Sequence, residues 1–152
     1  MENEKTIDAL NTLITINNDR IEGYETASKE TEEQDLKSLF AHFSATSKKC
    51  KQELLTEVTK LGGKPAEGTM MSGKFFRVWM DVKAAITGKD RKAILNSCEY
   101  GEDMAKETYK KVLENDLQNL NPEQQTMIKA QHNLLKADHD KVKSMRDALV
   151  IG

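Results

Sequence analysis

Four long stretches of this chain carry apolar residues at alternating spacings of three and four. That spacing gathers the apolar side chains on one stripe of an α-helix. Four such stripes must be buried against one another, so the periodicity predicts an all-α fold in which long helices share a core. The first stretch, about 6–30, carries Ile7, Leu10, Ile14, Ile21 and Tyr24, with Leu13 and Ala27 alongside and Asn17 as the single gap. The second, about 32–61, carries Leu36, Phe40, Phe43, Ser47, Cys50, Leu54, Val58 and Leu61. The third, about 90–116, carries Ile94, Cys98, Glu102, Ala105, Tyr109 and Val112. The fourth, about 122–149, carries Ile128, Gln131, Leu135, Asp138 or His139, Val142, Met145 and Leu149.

The ends of these stretches are marked as well. Thr31 stands three residues before Gln34 and Asn121 three before Gln124, the spacing of a capping box, and Pro122 suits a first helical position. Asp90 is the expected N-cap of the third stretch, and Gly62-Gly63 followed by Pro65 ends the second. Short links make antiparallel hairpins of the first and second helices and of the third and fourth. The connection 63–89 is long and predicts a shorter helix of its own over 72–87, with Phe75, Trp79, Val82 and Ile86 on one face and Phe76 and Met80 off it. A connection of that length can return along the helices, so the second and third long helices are expected to run parallel within one domain, 1–152.

Charged residues make up 32% of the chain, yet both signs are interleaved and the net charge is only -2. No basic patch points to nucleic acid, and no apolar run approaches the ~20 residues of a membrane span. The opening Met1-Glu2-Asn3-Glu4 is acidic and polar, unlike a secretory leader, and Cys50 and Cys98 form no CxxC pair. A cytoplasmic protein with free thiols is the expectation.

The stripes break at Asn17, at Ser47 and Cys50, at Glu102, and at Asp138 or His139, each near the middle of its helix. Helices of equal length bring their midpoints to one level, so these residues should meet in a polar layer inside the core. Glu99 and Gln131 are placed to join it, and Tyr24 and Tyr109 to turn their hydroxyls toward it, with Cys98 a turn from Glu102. Glu102 and His139 are the candidate metal ligands, with Glu99 and Asp138 as auxiliaries, for one divalent ion such as iron, zinc or manganese. Gly101, in mid-helix, is read as a notch for a large neighbour, Tyr24 or Trp79.

The chain resembles an uncharacterised bacterial family, a domain of unknown function, of ferritin-like four-helix bundles distantly related to rubrerythrins. The residues that carry the resemblance are Asn18-Asp19 with Gly23-Tyr24, Leu61-Gly62-Gly63 with Pro65, Gly73 through Trp79-Met80-Asp81, Cys98-Glu99 with Gly101-Glu102-Asp103, and His139-Asp140 with Val142, Arg146 and Asp147. The resemblance implies a ferritin-like bundle of two antiparallel hairpins joined by a crossover helix. A dinuclear centre in such a bundle takes a Glu from each of two helices and a Glu-x-x-His from each of the other two. This chain offers Asn17, Ser47-x-x-Cys50 and Lys136-x-x-His139 at the corresponding places, so the centre is incomplete. The resulting reading is a non-enzymatic bundle, structural or stress-related, that self-associates, a dimer being favoured. The alternatives are a module binding one metal ion or small ligand in the layer, or a degenerate oxidoreductase.

Overall fold

A computed structural model describes the backbone of residues 2–68 and 73–151 and the side chains of residues 3–68 and 77–149. Among the described residues the structure is all-helical: α1 (Glu2–Glu30), α2 (Gln34–Lys60), α3 (Gly73–Thr87), α4 (Arg91–Asn115) and α5 (Pro122–Ile151), with one 3-10 turn at Leu117–Asn119. The expected start of the connecting helix at Ser72 and the side chains of Phe75 and Phe76 lie outside the described residues.

Contacts between helices give their directions. Glu25 of α1 meets Lys48 of α2 while Asn11 reaches Lys64, so these two helices are antiparallel. Glu99 of α4 meets Arg146 of α5 while Tyr109 meets Gln131, again antiparallel. Gln131 also bonds to the Cys50 carbonyl and Gln124 to Glu57, so α2 and α5 are antiparallel too. Both α2 and α4 therefore oppose α5 and run in the same direction, as the long connection predicts.

The helix ends follow local chemistry, with two departures. Asn121 and Gln124 form a reciprocal capping box: the Gln124 amide donates to Asn121 Oδ1 at 2.7 Å and the Asn121 amide to Gln124 Oε1 at 3.0 Å. Asp90 caps α4 by accepting from the Ala93 amide. Gly62, at φ 78°, closes α2 in the left-handed conformation, with the Gly63 amide bonded back to Val58. The expected capping box at Thr31 does not form. α2 begins after Glu33, and the Thr31 hydroxyl accepts from the Glu33 amide, a tight local turn in place of a cap on the helix. At the end of α3 the left-handed residue is Lys89, at φ 55°, rather than Gly88.

Two apolar clusters fill the interior. One draws on α1, α2, α4 and α5 through Leu10, Leu13, Ile14, Leu54, Val58, Ala105, Val112, Ile128 and Leu135. The other adds α3: Tyr24, Leu36, Phe40 and Phe43 meet Val78, Val82, Ile86, Ile94, Leu95 and Val142. α3 seats itself through two glycines. A Cβ at Gly23 would fall 2.3 Å from the Trp79 ring, and one at Gly101 would fall 3.0 Å from Val78 Cγ1. The notch at Gly101 therefore receives Val78 and not an aromatic residue. Trp79 instead fills the notch at Gly23 and meets Tyr24 edge-on at 5.0 Å between ring centres. The stripes are also corrected at their edges: Ile7, Ile21, Leu61 and Met145 are only partly buried, and Leu149, in the last turn of α5, is exposed.

Candidate functional site

Between the two apolar clusters lies a polar layer in two tiers, and each tier takes one side chain from each of the four long helices. In the first tier, Arg20 of α1 is buried. Its guanidinium grips Glu102 of α4 with two bonds, Nε to Oε2 at 2.9 Å and Nη2 to Oε1 at 2.5 Å. Nη1 donates to Ser47 Oγ of α2 at 2.5 Å and Nη2 to Asp138 Oδ2 of α5 at 3.0 Å. The guanidinium also lies over the rings of Tyr24 and Phe43, at 5.4 and 5.9 Å from their centres, a cation–π contact on an already desolvated charge. In the second tier, Asn17 of α1 donates to the Tyr109 hydroxyl of α4 at 2.8 Å, and that hydroxyl donates to Gln131 Oε1 of α5 at 2.7 Å. Gln131 Nε2 completes the circuit on α2, at Glu53 Oε1 and the Cys50 carbonyl.

The sequence places Asn17, Ser47, Cys50, Glu102, Tyr109, Gln131 and Asp138 at this level, and the structure brings them together. Arg20 is the member that the apolar pattern hides. Its signal is the strict alternation of three and four through Leu10, Leu13, Asn17, Arg20, Tyr24 and Ala27, which puts position 20, and not Ile21, on the inward seam. Tyr24 turns inward as expected, with its buried hydroxyl beside Glu102, and Asn17 Oδ1 has no hydrogen-bond partner among the described residues.

Burial sets the electrostatics here. It pulls the guanidinium of Arg20 toward its neutral form, but Glu102, Tyr24 and Asp138 reverse this and hold its pKa above the ordinary value. Glu102 is pushed up by burial, which the attraction of Arg20 offsets only in part, and Asp138 adds to the rise. Asp138 is raised for the same reason, burial outweighing Arg20. In the first tier one fixed positive charge faces two carboxylates, so that tier has a surplus of one negative charge and a tendency to hold a proton. Cys50 is raised to about 11 by burial, and Cys98 is raised by burial and then by Glu102. Both thiols are free and buried.

The layer does not suit a dinuclear metal centre. Such a centre needs carboxylates and imidazoles converging on two cations. Here α1 delivers a guanidinium and an amide, α2 delivers a hydroxyl and, in the second tier, the Glu53 carboxylate held by Gln131, and the cation already between Glu102 and Asp138 is Arg20. Arg20 engages both oxygens of Glu102, so neither is left for a metal ion.

His139 and Glu99 belong to a different arrangement at the seam of α4 and α5. His139 Nε2 lies 2.7 Å from Asp103 Oδ1 and 3.8 Å from Glu99 Oε1, and Nδ1 lies 3.1 Å from Asp140 Oδ1. The partner of Glu102 is thus Arg20, and the partners of His139 are Glu99, Asp103 and Asp140. His42, expected near the surface, is exposed and reaches the outer oxygen of Asp138 at 3.6 Å.

No helix among the described residues is long and apolar enough to cross a membrane. No curated protein matches the chain. Residues 5–115, which span α1 to α4 and include Arg20, Ser47, Glu99, Glu102 and Asp103, match the family described as Domain of unknown function (DUF2383). The chain belongs to that family of domains of unknown function.

Proposed function

We propose that the protein is a non-catalytic ferritin-like four-helix bundle, structural in role and self-associating, in which an arginine stands where ferritin-like carboxylate proteins keep their metal ions. The observation that carries this reading is the engagement of Arg20 by Glu102, Asp138 and Ser47. One side chain engages a polar group from each of the other three long helices in the first tier. Such a network rewards one pairing and one register of the helices, the role for which buried polar groups are best attested. The parallel course of α2 and α4 supports the ferritin-like order. Self-association belongs to the reading as an expectation, and Met80 on α3 and Tyr100 on α4, two exposed large side chains, are where it is tested.

Two measurements test this. Ferrous iron mixed with the protein in air is expected to oxidise no faster than in buffer; faster oxidation that Glu102→Gln abolishes would overturn the non-catalytic reading. Sedimentation at micromolar concentration is expected to give a dimer or larger species that Met80→Asp with Tyr100→Asp shifts toward monomer. A wild-type chain that sediments as a strict monomer contradicts the self-association.

A further inference from the structure

We infer that the seam between α4 and α5 carries a mononuclear site for a divalent first-row transition cation, formed by Glu99, Asp103 and His139, separate from the arginine-filled layer. One ligand atom from each of the three lies within 4.8 Å of the others. Glu99 and Asp103 are four residues apart on α4 and so point along one face, while His139 comes from α5 and is almost fully buried. An imidazole nitrogen with two carboxylate oxygens suits zinc, manganese or ferrous iron, and such three-ligand sites leave further positions to water.

The geometry is close to that of a loaded site. Metal–ligand bonds of ~2.0–2.1 Å in a tetrahedral arrangement set ligand atoms about 3.3 Å apart. Glu99 Oε1 stands 3.8 Å from His139 Nε2, and Asp103 Oδ1 stands 2.7 Å from it. Asp103 must therefore swing outward by a few tenths of an ångström, which its half-exposed side chain permits. A cation bound here would be taken up in exchange for the direct contact between Nε2 and Asp103.

The surroundings favour that exchange. Asp140 lies against Nδ1 of His139, the carboxylate–imidazole pairing that fixes a metal-binding histidine in orientation and tautomer. Arg146 bonds to Glu99 Oε2, which holds the carboxylate in place and leaves Oε1 for the cation. Among the other charges at the site, Lys106 lies 4.0 Å from Asp103 and acts with Lys136 on Asp140, while Asp147 pairs with Arg146.

Calorimetric titration of the chelator-treated chain with zinc chloride, and the visible spectrum with cobalt(II), test the site. The expected result is one ion per chain and at least about a tenfold loss of affinity in Asp103→Ala and in His139→Ala. Asp103 is half exposed, so its variant is expected to fold even if the His139 variant does not. Glu102→Gln is expected to leave zinc affinity unchanged, which separates this site from the layer. Absence of stoichiometric zinc in the wild type, or equal affinity in the wild type and Asp103→Ala, would overturn the inference.

Discussion

A guanidinium buried between two carboxylates cannot neutralise both, and the consequences fall on Glu102 and Asp138. Both carboxyls stand above their ordinary values because burial outweighs the pull of Arg20. A carboxyl raised on folding holds its proton to higher pH in the native state than in the unfolded chain. Its stabilising share is therefore full below the unfolded value, about 4, and is lost as pH rises through the folded value. Asp138→Asn removes one titrating group and the surplus charge while its amide oxygen can still accept from Arg20. The stability of the wild type relative to Asp138→Asn, from urea unfolding at a series of pH values, should fall as pH rises from about 4. A difference that is flat across that range would contradict the surplus-charge picture. The carboxylates were legible in the sequence because each interrupts an apolar stripe. Arg20 was not, because Ile21 beside it offers an apolar residue to the same stripe. Only the strict spacing from Leu13 to Ala27 separates the two.

At the scale of elements, α3 is held by absence as much as by contact: Gly23 and Gly101 leave the surfaces of α1 and α4 open for Trp79 and Val78. The two notches differ in tolerance. A methyl group at position 23 would fall inside the van der Waals radius of a rigid indole ring that packs against Tyr24. Gly23→Ala should therefore destabilise by about 1–3 kcal/mol or displace α3, read as a lower urea midpoint. At position 101 the obstacle is one methyl of Val78 at 3.0 Å. There the gain in helix propensity from Gly to Ala, about 1 kcal/mol, opposes the crowding, and Gly101→Ala should unfold within about 1 kcal/mol of the wild type. Equal losses at the two positions would show that the notches are not what seats α3. The sequence marked Gly101 as a notch but assigned its occupant wrongly. Spacing along one helix says that room exists, while which side chain of another helix fills it depends on how far α3 is displaced along α4.

Across the whole molecule, the order and direction of the helices were readable because link lengths and caps restrict them: Asn121 to Gln124 forms the capping box it announces, and the long connection leaves α2 and α4 parallel. The pairing of the polar residues was not readable. Glu102 and His139 lie on neighbouring helices at similar height, yet each points to a different side of the seam, and periodicity does not resolve a rotation that small. The outcome joins all four long helices through Arg20, with Ser47, Glu102 and Asp138 as its partners. Removing one member of a buried ion pair leaves its partner desolvated and unpaired, a loss of about 3–5 kcal/mol, whereas replacing both members with apolar groups of similar size is often close to neutral. The most direct measurement is therefore a double-mutant cycle by urea unfolding on Arg20→Met, Glu102→Leu and the combined variant. The account predicts that Arg20→Met, which deprives both Glu102 and Asp138 of their cation, loses about 3–5 kcal/mol, that Glu102→Leu loses less because Asp138 still pairs with Arg20, and that the combined variant is more stable than the sum of the two losses by at least about 1 kcal/mol. Single losses below about 1 kcal/mol, or losses that simply add, would contradict the claim that this arginine holds the four helices in register.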